Sequence, residues 1–95
     1  MEAVRRKTVE VGGREFVVRP LLGVVARDFY GIERPDEHTR LAAMVAKVLE
    51  RTAPEVTEDW VLKNGDMAEY RDVMEALNEV TNGKKTAPAG EATGP

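Results

Sequence analysis

No cysteine and no serine occur in this 95-residue chain, and it has a single histidine and a single tryptophan. The missing cysteine removes disulfides, cysteine-type zinc sites and thiol nucleophiles together, and it fits a reducing compartment. Without serine, a hydroxyl nucleophile would have to be one of seven threonines, and His38 alone cannot build a histidine-based relay for any of them. His38 has no acidic neighbour at metal-pair spacing beyond the charges of a helix first turn, and reads as a surface residue. The longest apolar run, Leu41-Ala42-Ala43-Met44-Val45-Ala46, is far short of the roughly 20 residues of a membrane span. Met1-Glu2-Ala3-Val4-Arg5-Arg6-Lys7 has no apolar run behind it and does not read as a signal peptide. Gly12-Gly13 lacks the further glycines, lysine and hydroxyl of a phosphate loop. Glu58-Asp59, and Glu33 with Asp36-Glu37, read as caps and exposed charges rather than as acid/base pairs. The expectation is a cytoplasmic binding domain with no catalytic residue, no cofactor and no metal.

The net charge of −3 is unevenly spread. Residues 1–34 carry a net +2, residues 35–83 a net −6, and residues 84–95 a net +1. An acidic body repels phosphates. The cluster Arg5-Arg6-Lys7, with Arg14 and Arg19, lacks interleaved aromatics, and no helix is basic enough for a groove. Nucleic acid is therefore not expected as a partner, and neither is a membrane.

The patterning predicts an α+β fold, mostly α: an N-terminal β-hairpin, about four helices and a disordered C-terminal tail. Val9 and Val11 alternate with Thr8 and Glu10, Phe16 and Val18 alternate with Glu15, Val17 and Arg19, and Gly12-Gly13 between the runs can take the positive φ of a two-residue turn. That turn pairs Val11 with Arg14, Val9 with Phe16 and Lys7 with Val18, putting Val9, Val11, Phe16 and Val18 on the core face. Pro20 suits a helix first turn, Leu21, Leu22, Val25, Phe29 and Ile32 follow at helical spacing, and Gly31 ends or loosens this short helix. A second helix is expected over 36–52, with a stripe of Leu41, Met44, Val45, Val48 and Leu49. A third is expected over 58–63, capped by Thr57 and anchored by Trp60 and Val61. A fourth is expected over 67–81, opened by the capping-box spacing of Asp66 and Glu69, with a stripe of Tyr70, Val73, Met74, Leu77 and Val80. Residues 1–83 form one domain in this reading. Residues 84–95 hold no large apolar side chain and are expected to be a disordered tail.

Some apolar residues do not fit the core. If Leu21, Val25 and Phe29 face inward, then Leu22, Val24 and Tyr30 form a second strip that must meet another surface. Trp60 has two readings, a core plug or a half-exposed anchor for a partner. Leu22, Tyr30, Trp60 and Val61 are thus the candidate partner-binding residues. The hairpin's open edges make self-association a further expectation.

The order of parts resembles a known family. A strand–Gly-Gly–strand hairpin leads into Arg19-Pro20-Leu21-Leu22, a short helix and a longer amphipathic one. Then come Ala53-Pro54-Glu55-Val56-Thr57-Glu58-Asp59-Trp60-Val61-Leu62-Lys63-Asn64 and a last helix ending in Thr81-Asn82-Gly83. Over residues 8–83 this resembles the tail assembly chaperones of long-tailed, siphovirus-type bacteriophages. The resemblance implies a protein that binds the tape measure protein, keeps it soluble and helps recruit major tail tube subunits. It also implies action in the host cytoplasm and absence from the mature virion. Many such proteins exist in two lengths through a programmed frameshift; the tail expected over residues 84–95 is where such an extension would attach, and the codons of Gly83-Lys84-Lys85 can spell a slippery run of G and A. The rival readings are a structural head or tail completion subunit and a small helical DNA-binding regulator.

Overall fold

The computed structural model describes residues 6–82; the expected disorder of residues 84–95 lies outside the described residues. The hairpin forms as its alternation dictates. β1 (Lys7–Val11) and β2 (Arg14–Val18) pair antiparallel, with Lys7 opposite Val18, Val9 opposite Phe16 and Val11 opposite Arg14. Gly12 and Gly13 lie at φ +60° and +80°, the left-handed pair that a two-residue turn between twisted strands demands. Val9, Val11, Phe16 and Val18 are buried, as the alternation predicts.

Four helices follow: α1 (Gly23–Tyr30), α2 (Glu37–Glu50), α3 (Glu58–Asn64) and α4 (Met67–Asn82). Three of them start at the caps the sequence announces. Asp36 accepts the N–H of Thr39 at 2.8 Å. Thr57 accepts that of Trp60 at 3.1 Å. Asp66 and Glu69 bond reciprocally, at 2.8 and 3.1 Å. Glu69 also accepts the N–H of Gly12 at 3.1 Å, so one carboxylate fastens the start of α4 to the hairpin turn.

α1 starts later than Pro20 predicts. Leu22 is its N-cap, in extended conformation and with no side-chain cap bond. The guanidinium of Arg51 donates to the carbonyl of Pro20, the oxygen that a helix beginning at Pro20 would need for its own first turn. The far end of α2 is fixed nearby. The helix stops at Glu50, and the Thr52 hydroxyl donates to the carbonyl of Val17 in β2 at 2.6 Å.

α2 is the central element, packed against α1, α3, α4 and β2. Its buried surface is wider than the expected stripe: Ala42, Ala43 and Ala46 are buried with Met44, Val45, Val48 and Leu49, whereas Leu41 is only half-buried. On α4, Ala76 is buried in place of the half-buried Met74. Small side chains let helices approach closely, and every buried residue in the described part is apolar. Tyr70 is the largest fully buried side chain, and its hydroxyl donates to the carbonyl of Val61 at 3.1 Å.

Candidate functional site

The least secured helix carries the exposed apolar groups. α1 has no capping side chain and no acidic residue in its first turn, and its first residue is glycine, a poor helix former. It is held by Phe29, which is 2% exposed, with Leu21, Val25 and Ile32 half-buried beside it. Leu22, Val24 and Tyr30 remain 54%, 62% and 70% exposed. The strip expected from the sequence is thus exposed but not continuous. Val24 and Tyr30 are six residues apart, which on a helix turns them about 120° from each other. Leu22 precedes the helix proper.

Two apolar clefts flank α1. One, of about 280 Å³, is lined by Leu21, Leu22 and Val25 with Lys47, Glu50 and Arg51 of the end of α2. The other, of about 230 Å³, is lined by Phe29 and Tyr30, Met44 of α2, and Met74, Leu77, Asn78 and Thr81 of α4. Tyr30 stands edge-on to Phe29, with centroids 4.9 Å apart, and forms one wall of this second cleft. Met44 and Met74 were absent from the sequence-level candidates. Met74 is half-buried there, and its flexible thioether beside an exposed aromatic suits an adaptable contact surface, whereas Met44 is buried, as its stripe predicts.

The other two candidates lie elsewhere. Trp60 is half-buried on α3 and meets Phe16 of β2 edge-to-face at 5.8 Å, closing the core over the hairpin. Val61 is not an exposable group, and that expectation is corrected: it is fully buried. Its carbonyl accepts both the Tyr70 hydroxyl and the N–H of Gly65. Consecutive helical residues point about 100° apart, so a short helix that lays Trp60 across Phe16 turns Val61 into the interior. Of the four candidates, Leu22 and Tyr30 share the exposed α1 region, Trp60 sits over the hairpin, and Val61 drops out.

A third cleft, of about 480 Å³, lies between α1, α2 and the start of α3. Its charged groups are largely paired with one another. Arg34 makes a two-pronged contact with Glu58 at 2.7 and 2.9 Å, and Lys47 lies 3.6 Å from Glu50. The Arg34 hydrogen bonds hold the Glu58 carboxyl below its ordinary value. A carboxylate so held is a poor proton carrier near neutrality. His38 lies 3.3 Å from the Met67 sulfur and beside the Tyr70 ring, and among the described residues no cluster of three acidic or histidine side chains could hold a metal. No described helix is long and apolar enough to cross a membrane.

Comparison with known proteins gives no match: no protein family, no characterised protein and no solved structure matches the chain.

Proposed function

We propose that this protein is a non-catalytic tail assembly chaperone that binds a phage tape measure protein, keeps it soluble in the host cytoplasm and helps recruit tail tube subunits, without entering the finished virion. The observation that carries the reading is the α1 region, where Leu22, Val24 and Tyr30 are exposed beside two apolar clefts on an uncapped helix. Groups of this kind suit an amphipathic helical client, whose aliphatic side chains would enter the clefts on either side of α1. The motif order over residues 8–83 supports the choice of client. The acidic balance of residues 35–83 supports a protein partner over a nucleic acid.

The test is co-expression with the tape measure protein of the same genome, followed by fractionation and affinity capture. The tape measure protein is expected in the soluble fraction, bound to this chain, and to return to the pellet with Tyr30→Glu or Leu22→Glu. A tape measure protein that stays insoluble with the unaltered chain, or recovery of this chain from purified particles, would refute the reading and favour a structural subunit.

A further inference from the structure

Among the described residues, no strand pairs with the outer edge of β1. A two-residue turn closing at Val11 and Arg14 makes the pairs 11–14, 9–16 and 7–18 the hydrogen-bonded ones. The main-chain N–H and C=O groups of Thr8 and Glu10 therefore point away from β2. No described residue hydrogen-bonds to them. The opposite edge is partly closed, because the Thr52 hydroxyl takes the Val17 carbonyl. Exposed strand edges are pairing templates, which proteins ordinarily blunt or use.

A groove of about 280 Å³ runs along this open edge between β1 and α4, lined by Lys7, Thr8, Val9, Glu10, Asp72 and Glu75. Lys7, its one cation, is held by Glu79 at 2.8 Å. Glu10, Asp72 and Glu75 form no ion pair among the described residues. Glu10 also stands directly opposite Glu15 across the ladder, a like-charge pair that weakens a hairpin unless a cation joins it.

From this geometry we propose that the β1 edge takes an extended, lysine- or arginine-rich segment of a partner protein as a third strand. The edge supplies main-chain bonds to a strand, which a helical partner cannot use. The sign of the groove selects the rest. A second copy of this chain would set Glu10, Asp72 and Glu75 against their own equivalents, and nucleic acid would be repelled. Side chains alternate along a strand, so alternate residues of a basic segment would meet Glu10 on the outer face and Asp72 and Glu75 on the inner one. The inference does not depend on the chaperone reading, since it uses a different surface and a different kind of segment.

The test uses the full chain, labelled with nitrogen-15 and titrated with a capped six-residue peptide of two Lys-Lys-Thr repeats, which carries lysines on both faces of a strand. The expected result is saturable binding, with shifts and slowed hydrogen exchange at the Thr8 and Glu10 amides. Asp72→Asn with Glu75→Gln, at exposed positions that leave the core untouched, should weaken binding roughly tenfold. The same peptide with N-methyl groups along the pairing edge should lose binding. Four outcomes would overturn the proposal: no binding; equal binding of the methylated peptide, which would mean loose charge attraction only; a dimer through this edge without peptide; or Thr8 and Glu10 amides already protected in the free chain, which would mean that its own residues cover the edge.

Discussion

Gly12 and Gly13 form one turn and share a positive φ, yet replacing each with alanine should have different consequences. Both substitutions force an L side chain into the left-handed region, at roughly 1–2 kcal/mol. A Cβ on Gly13 would meet nothing within 4 Å, so Gly13→Ala should stop there. A Cβ on Gly12 would lie 2.8 Å from both the carbonyl oxygen and the Cβ of Asn64. That neighbour cannot simply swing aside. It is the last residue of α3, and its side-chain amide is tied to the Trp60 carbonyl at 2.9 Å. Displacing packed backbone adds about 1–3 kcal/mol, and the shift would also strain the bond from Gly12 N–H to Glu69. Gly12→Ala should therefore cost about 2–5 kcal/mol, and exceed Gly13→Ala by about 2 kcal/mol, or roughly 10 °C in Tm for a domain of this size. Urea unfolding followed through Trp60, the only tryptophan and a direct neighbour of Phe16, measures both. Equal destabilisation by the two variants would show that the hairpin turn does not rest on the end of α3.

Two pH dependences follow from named groups. Burial, with Asp66 and Glu69 adding repulsion, raises the Tyr70 phenol above its ordinary value of 10.0. The stability tied to its neutral form is present below pH 10 and lost as pH rises through the folded value. Tyr70→Phe should flatten that alkaline loss while costing about 1 kcal/mol at neutral pH, since the Val61 carbonyl keeps its bond from Gly65; urea titrations at pH 8 and pH 11 would show it. At the acid end, the Thr39 N–H lowers the Asp36 carboxyl and Arg34 lowers that of Glu58. Their contributions are present above the ordinary carboxyl values of 3.8 and 4.5 and vanish as pH falls through the lowered ones. Asp36→Asn preserves a cap acceptor and removes the titration, so its melting temperature should fall less than that of the unaltered chain between pH 6 and pH 3.

What could be read from the sequence was set by how local each determinant is. The hairpin register depends on five residues either side of two glycines, and the caps of α2, α3 and α4 on residues three apart; all were legible. The start of α1 was not, because its N-cap, Leu22, offers no capping side chain to announce it, and the Pro20 carbonyl before it meets Arg51, a residue distant in sequence. The breadth of the α2 core was not legible either, since alanine gives no strong sign of facing in or out, and only close packing on several sides settles it. Val61 failed as a candidate for a related reason. Beside Trp60 it looked like half of an exposed pair, and only the position of Phe16 decides which of the two turns inward.

The surfaces left uncovered differ in chemistry, and α4 separates them. Met74, Leu77, Asn78 and Thr81 line the apolar cleft at Tyr30, while Asp72 and Glu75 line the groove beside β1. At about 100° per residue these two sets occupy different faces of one helix, with Tyr70, Val73, Ala76, Leu77 and Val80 buried in the core. A small chain that can bury little surface has thus left one apolar region at its least secured helix and one acidic strand edge at its hairpin. An apolar helix and a basic extended segment would not compete for the same atoms, so binding at one surface should leave the other open. That independence distinguishes a two-surface adaptor from a protein with one contiguous binding face, in which Tyr30→Glu would weaken both ligands together.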